Sequence, residues 1–457
     1  MAWKEIRPGH WERPLGESEG MIKMIGDGGK KIGKDIWCIS ITARFTAHLD
    51  NAEGDGSLTT ALRRGWKLLR FHHPSIATTV REDTARYDVP DCLALERWVS
   101  ETFIVVHGEV HPDDLIAQLP PRPLATVHYL EHDSSLVLQL SHWRTDGIGA
   151  LHLLNAYFEA VVDALQQERP DTLPWGEEVS RLVPSVEEAL GLPSTPTPEA
   201  ECAAQKYLDT LAHYRDALST PYRSGGNIAP GATRSVHRAC SVAETTQLEA
   251  ECRRQGLVLA AAVHAAVTTT AYDIADPALR RSHHSTTMRQ SLRPNLPAPY
   301  NGPGGAASLY TAGYVVKVPP SQSWSQYAKQ YDAEYRRGAT AELLSSRRHY
   351  SRVMKALLQK GPSPNPPPSG LDISYIPDAA ALVASVHTNP LGKMEISSIG
   401  IRVEVVSRHM YVFGWVFNGR LELHLVYNES FYHRDMAENT VAHVQKNLFS
   451  NLRSHSS

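Results

Sequence analysis

Cysteine is sparse in this 457-residue chain. Its five cysteines, Cys38, Cys92, Cys202, Cys240 and Cys252, are scattered and odd in number, with no CxxC spacing. That argues against a disulfide framework and a cysteine-rich zinc site, and it fits a reducing compartment. No run of 18 apolar residues occurs, so no membrane span is expected. No long basic run stands out and the formal net charge is -3, so nothing argues for a nucleic-acid partner. The first twenty residues, MAWKEIRPGHWERPLGESEG, hold no apolar core of the signal-peptide kind, and the expected setting is the cytoplasm. Nucleotide and metal motifs are missing too. Gly26-Asp27-Gly28-Gly29-Lys30 is glycine-rich but has neither P-loop spacing nor a strand before it, and no GxGxxG follows a first strand. The adjacent His72-His73 precede Pro74 without an HExxH pattern, which reads as a helix end rather than a zinc site.

What remains is an ordinary globular composition, 42% hydrophobic and 21% charged, in a chain long enough for two domains. Residues 1–35 are polar and glycine-rich, and no element is assigned there. Strands are expected over 36–47, 124–130, 233–240, 285–289, 309–318, 371–376, 395–406, 411–417 and 421–427. The last two should pair across Asn418-Gly419, a hairpin-turn dipeptide. Helices are expected over 58–71, 147–167, 199–218 and 436–448, with two more meeting at Gly256. The second of these, Leu257 to Tyr272, is apolar throughout and reads as a buried core helix. Gly361 to Gly370, GPSPNPPPSG, reads as a surface connector. The sharpest compositional break is Gly191 to Pro198, so the chain is divided into residues 1–190 and 191–457. Strands and helices mix in both halves, an α/β (α+β) arrangement without barrel periodicity.

The informative stretch is Leu136 to Gly149, LVLQLSHWRTDGIG. Leu136, Leu138, Leu140 and His142 share a face at period two. From Gly147 the period becomes helical, through Ile148, Leu151, Leu154, Phe158, Val161 and Leu165. A histidine thus stands where a core strand gives way to a turn and a helix, where rigid elements can fix a reacting imidazole. By pattern alone the commoner reading is a hydrogen-bonded core or strand-end histidine, with Asp146-Gly147 an ordinary turn pair.

His142-Trp-Arg-Thr-Asp146-Gly147 is an HxxxDG motif, and in this strand–helix setting it resembles that of the condensation-domain and plant-type (BAHD) acyltransferase superfamily. The helix Leu257–Tyr272, Arg289 with Pro294, Pro297 and Asn301 after it, Phe413-Gly414-Trp415 and Leu421–Phe431 resemble its second-half elements. The overall look is nearest to fungal trichothecene 15-O-acetyltransferase-like enzymes. The resemblance implies two chloramphenicol-acetyltransferase-like subdomains in a V, with a central tunnel. His142 would be the general base, with no metal and no permanently bound cofactor. Asp146 would pair with Arg289 and shape the loop, and Gly147 would relieve crowding where strand becomes helix. Trp143 and Trp415 are candidates to line a pocket or to pack in the core. The implied donor is acyl-CoA, most simply acetyl-CoA, with an acyl-carrier protein as the alternative. The implied acceptor is a small lipophilic alcohol or amine, and the enzyme is expected to be a monomer.

Ser141 stands where condensation domains carry another histidine, which leans away from peptide condensation. Tyr411-Val-Phe-Gly-Trp-Val416 lacks the aspartate and last glycine of the plant-type DFGWG motif. Three rival readings remain: a condensation-like cyclase, a non-catalytic relative that binds a metabolite or a protein, and a metal-dependent hydrolase using His142, Asp146 and His152.

Overall fold

The strand Ser135–Leu140 is buried at every position, so neither of its faces meets solvent. Leu136, Leu138 and Leu140 point into one core, and Val137 packs on the other side with Ile116 and Leu130. This strand lies inside a six-stranded sheet of the computed structural model, which describes residues 2–49, 56–166, 173–223, 228–320, 323–361 and 369–453. The sheet order is Val386–Asn389, Gly392–Val403, Ile39–Leu49, Ser135–Leu140, Thr126–Leu130, Phe103–Val106. The expected hairpin forms, with Thr126 opposite Gln139 and Leu130 opposite Ser135.

A second sheet holds Gly370–Ile376, His409–Phe417, Arg420–Asn428 and Thr233–Ala239 in that order. Its central hairpin turns at Asn418 (φ 49°) and Gly419 (φ 71°), two positive φ angles in succession as a tight hairpin turn requires. Beside it His284–Ser291 pairs antiparallel with Thr311–Val318. The helices expected to meet at Gly256 run over Val242–Arg254 and Leu259–Ile274, bent by 98° where Gly256 takes φ 70°.

Several elements depart from expectation. Lys4–Arg7 and His10–Pro14 join Thr84–Asp88 and Thr79–Arg81 in a small sheet, and a helix spans Glu17–Asp27. Cys92–Thr102 is a helix capped by Asp91, whose side chain accepts from the Ala94 N–H. The cut at 190/191 does not follow the sheets, because Val386–Asn389 and Gly392–Val403 hydrogen-bond into the first sheet, with Ile401 opposite Ile41. The core is shared as well: Phe413, Trp415 and Phe417 of the second sheet are buried in the first sheet's cluster. The proline-rich residues 362–368, the tail from 454 and residue 167 at the expected helix end lie outside the described residues.

The helix Gly147–Gln166 carries a stretch, Gly147–Leu165, long and apolar enough to cross a membrane by length and composition alone. Here 61% of that stretch is buried within the fold, so it serves as an interior helix.

The second half also buries a titratable network. His264 is 1% exposed and stacks on Tyr331 at 3.6 Å between centroids. Thr286 donates its only hydroxyl proton to Asp372 (2.6 Å), so the Nε2–H of His264 must donate to Thr286 (2.9 Å). Burial, with His284 and Arg289 nearby and Asp372 opposing, lowers the His264 pKa to about 3. The unfolded chain takes up this proton near pH 6.5 and the folded chain does not. Stability is therefore lost as pH falls below about 6.5, at about 1.4 kcal/mol per unit for this residue. His264→Gln should make the slope of unfolding free energy against pH, read by urea titration between pH 6 and 4.5, shallower by about one proton. An unchanged slope would show that His264 is not linked to folding in this way.

Candidate active site at the seam of the two sheets

His142 lies two residues beyond the end of its strand, in a turn closed by the Arg144 N–H donating to the Ser141 carbonyl (3.0 Å). Its side chain is half-buried. Nδ1 is 3.0 Å from the carbonyl oxygen of Thr145. A carbonyl only accepts, so Nδ1 carries the proton and the neutral ring leaves its lone pair on Nε2. Thr145 is wholly buried, and its hydroxyl donates to the Ala306 carbonyl (2.8 Å), which fixes that acceptor. Buried Arg144 holds the turn from the other side, donating to the Ser75 carbonyl (2.9 Å), the Thr78 hydroxyl (2.7 Å) and the Pro123 carbonyl (2.9 Å).

Asp146 does not pair with Arg289. Its partner is Arg293, whose Nη1 donates to both carboxylate oxygens at 2.7 and 2.8 Å. The Gly149 N–H (2.9 Å) and the Tyr310 N–H (2.8 Å) complete the shell. Burial works to raise this carboxyl, but Arg293 and the two backbone donors outweigh it and leave the pKa below its usual value. Every strong acceptor position of Asp146 is thus used for structure, which leaves it poorly suited to bind a metal with His142 and His152. The reason for the different partner is positional. Arg289 sits inside the strand His284–Ser291, alongside the second sheet, whereas Arg293 follows that strand in a turn that bends back toward residue 146. Arg293 Nη2 also reaches the carbonyls of Gly305 (3.2 Å) and Ser308 (3.3 Å), which anchors in the second half the side chain that grips Asp146 of the first.

Of the two glycines, Gly149 is the more crowded. A Cβ on Gly147 would meet only the Ile376 Cδ1, at 3.2 Å. A Cβ on Gly149 would lie 2.3 Å from the Ala306 carbonyl oxygen, 2.5 Å from Thr145 Oγ1 and 2.8 Å from Arg293 Nη2. Gly149→Ala should therefore cost about 1–3 kcal/mol through overpacking and lower activity with it, checked by thermal melting beside an initial-rate assay. A variant as stable and active as the parent would mean that this contact is not tight.

The segment before the strand Ile39–Leu49 packs beside His142. Ser141 donates to Asp35 (2.6 Å), whose carboxyl is pushed up by burial and drawn back by Ser141 and His142. The Asp35 carboxylate tucks against Gly26, where a Cβ would come within 2.4 Å of Oδ1, so the glycine-rich stretch serves packing. Trp37 sits at φ 66°, an unfavourable conformation for a bulky residue, and its ring meets His142 edge-on at 6.4 Å. It also lies close enough to Tyr411 to draw that phenol's pKa down, against the burial that raises it.

Arg289 contributes from the second half. Its Nη2 donates to Asp372 (2.9 Å) and its Nη1 to the carbonyls of Ile373 (2.6 Å) and Thr287 (3.2 Å). Burial alone would raise the Asp372 carboxyl, but Arg289 and Thr286 bring its pKa down to about 2. The Arg289 guanidinium lies 5.6 Å from the Tyr411 ring. Trp143 and Trp415, candidates for a pocket or for core packing, are both buried. Trp415 is 0% exposed in the core, edge-on to His424, and Trp143 is buried beneath the Arg144 guanidinium at 4.5 Å. Trp37, Asp35, Gly149, Arg293 and Asp372 were not evident from the sequence. The second glycine of Asp146-Gly-Ile-Gly149 is the one local signal that could have marked any of them.

No protein-family model matches the chain. Over 433 residues it is 42% identical to acetyltransferase pigO of Monascus ruber, covering 94% of each protein. It is 28% identical over 455 residues to O-acetyltransferase pigM of the same organism, covering 98% of this chain and 87% of that protein. The fold matches that of TRI3 trichothecene 15-O-acetyltransferase from Fusarium sporotrichioides with a TM-score of 0.80, over 98% of this chain and 97% of that one, at 14% identity. The architecture is thus the α/β type of the chloramphenicol-acetyltransferase-like fold. With its likeness to pigO spanning nearly the whole length of both proteins, the chain belongs to the fungal BAHD-like acetyltransferases and is an acyltransferase.

Proposed function

We propose that this enzyme transfers an acyl group, most simply acetyl from acetyl-CoA, to a hydroxyl of a small secondary metabolite, with Nε2 of His142 as general base. The observation that carries this reading is the Nδ1 contact to the Thr145 carbonyl, which leaves an imidazole lone pair on Nε2 in a half-buried setting. The alcohol oxygen attacks the thioester carbonyl as Nε2 takes its proton. The C–O bond forms, the carbonyl becomes a tetrahedral oxyanion, and His142 becomes imidazolium. Collapse expels the CoA thiolate, which takes the proton back from Nε2. The products are an ester and free CoA, with no acyl-enzyme. Asp146 does not carry the proton. Together with Arg293 it holds the loop whose Thr145 carbonyl sets the tautomer.

We read the two sheets as the arms of a V with a tunnel along their seam. The residues that would line it support this. Arg289, His409 and Tyr411 all feel strong desolvation from surrounding protein, yet each keeps part of its surface accessible. Side chains enclosed in this way but not sealed are what an internal channel requires. In this reading the arms follow residues 1–190 and 191–457, except that 386–403 return to the first sheet. An oxygen acceptor is favoured over an amine by the likeness to an O-acetyltransferase. Ser141 in place of a second histidine favours CoA over a carrier protein. The enzyme is read as a cytoplasmic monomer.

The test is thiol release from acetyl-CoA, with intact-mass detection of the ester, across a panel of polyketide and terpenoid alcohols. Acceptor-dependent thiol release that His142→Ala abolishes supports the proposal. Equal release by both proteins removes His142 from the mechanism.

A further inference from the structure

Starting from the site just proposed, a line of rings runs away from His142 into the second half. Trp37 meets His142 at 6.4 Å and lies beside Tyr411, close enough to act on its phenol. Tyr411 lies nearly parallel to His409 at 6.0 Å, and His409 meets Tyr214 edge-on at 6.3 Å. All five rings are only partly buried. The guanidinium of Arg289 stands beside this row, 5.6 Å from Tyr411, with a third of its side chain accessible (33%).

Arg289 has five N–H donors. Nη1 uses two of them on the Thr287 and Ile373 carbonyls, and Nη2 uses one on Asp372. Among the described residues, Nε–H and the second N–H of Nη2 have no partner. The charge of the group is already balanced by Asp372, which holds its own proton off down to about pH 2. A phosphate or carboxylate arriving here would bring a second negative charge beside Asp372. A neutral, polarised carbonyl oxygen would accept from these free donors without that penalty. The adjoining ring faces suit a flat, conjugated body.

We propose that Arg289 is a specificity-determining residue of the acceptor pocket, reading with its two spare N–H donors a carbonyl oxygen on a flat, conjugated acceptor. The amide carbonyls of the CoA arm offer the same chemistry without the flat ring, so the experiment must separate the two sources. The probes are 6-(hydroxymethyl)chromone and 6-(hydroxymethyl)chroman, which share the alcohol and differ in the ring ketone and its conjugation. Binding of each is measured by calorimetry, with free CoA as a third titrant. The wild type should bind the ketone about tenfold or more tightly than its ketone-free partner, the share expected of a hydrogen bond to a charged donor. Arg289→Lys keeps a cation opposite Asp372 but loses these free donors, and the preference should fall to within about twofold. The double variant Arg289→Gln/Asp372→Asn, which leaves no buried charge alone, should behave the same way. CoA affinity should hold in all three proteins.

Failure of the wild type to prefer the ketone, absence of binding included, overturns the proposal. So does a preference that survives both substitutions, or a loss shared equally by CoA. The readout is binding rather than turnover. A failure here therefore leaves the role of His142 standing, and a failure of His142 in the thiol assay leaves this result interpretable.

Discussion

Alanine at position 142 lowers kcat/KM for acetyl transfer by about 10²–10⁴-fold, the range that a positioned general base supplies. The loss falls on kcat, because the imidazole lone pair acts on the acceptor only as the new bond forms. Folding should be largely spared. His142 is half-buried, and its one side-chain hydrogen bond among the described residues is the contact from Nδ1 to the Thr145 carbonyl. His142→Gln sharpens the result, because its amide N–H can replace the donor to Thr145 but offers no basic nitrogen. The two variants should be equally slow, with melting temperatures near that of the wild type. A glutamine variant that kept most of its activity would assign His142 to loop structure and leave the base elsewhere.

Removing Arg293 has the second large effect, this time on stability. Asp146 is 3% exposed and Arg293 also 3%, with two direct contacts between them. Breaking a buried pair by deleting one partner costs about 3–5 kcal/mol, since the remaining charge is left without compensation. Arg293→Met should destabilise the protein by that amount in urea unfolding, and activity should fall because the turn bearing Thr145 loses its anchor. The sign of the pH dependence follows from the lowered Asp146 pKa. The pair's contribution is present above the unfolded carboxylate value near pH 4 and is lost as pH falls through the lower folded value. Arg293→Met should therefore lose less stability, relative to the wild type, at pH 3 than at pH 7. Arg289→Lys is expected to be far milder, since it keeps a cation beside Asp372. An equal collapse of both variants would contradict the separate roles given to the two arginines.

Those two arginines show what could be read from the chain and what could not. The strand, turn and helix around His142 were legible because the apolar period changes from two to helical at Gly147, and buried leucines record both periods. The hairpin at Asn418-Gly419 was legible because both residues tolerate positive φ. Choosing between Arg289 and Arg293 was a different kind of problem. They stand four residues apart, and only the turn after Ser291 decides which one faces Asp146. The N-terminal strands escaped notice because Lys4–Arg7 is exposed at every position and so carries no alternation. The return of Gly392–Val403 to the first sheet escaped notice because strand sequence records which face is buried, not which distant partner covers the edge. Trp37 left no local signal: its value to the site comes from a strained backbone held by the Glu404 carbonyl, far away in the chain. Trp415 was visible as a tryptophan, but the first-sheet side chains that bury it come from distant segments.

The most direct test of the mechanism is a crystal structure of the enzyme with free CoA and an acceptor alcohol identified in the thiol-release screen. The acceptor hydroxyl should lie about 2.6–3.2 Å from Nε2 of His142, on the side facing the CoA sulfur, with Nδ1 still donating to the Thr145 carbonyl. A hydroxyl bound beyond reach of Nε2, or held by a different basic side chain, would contradict the assignment of His142 as the base.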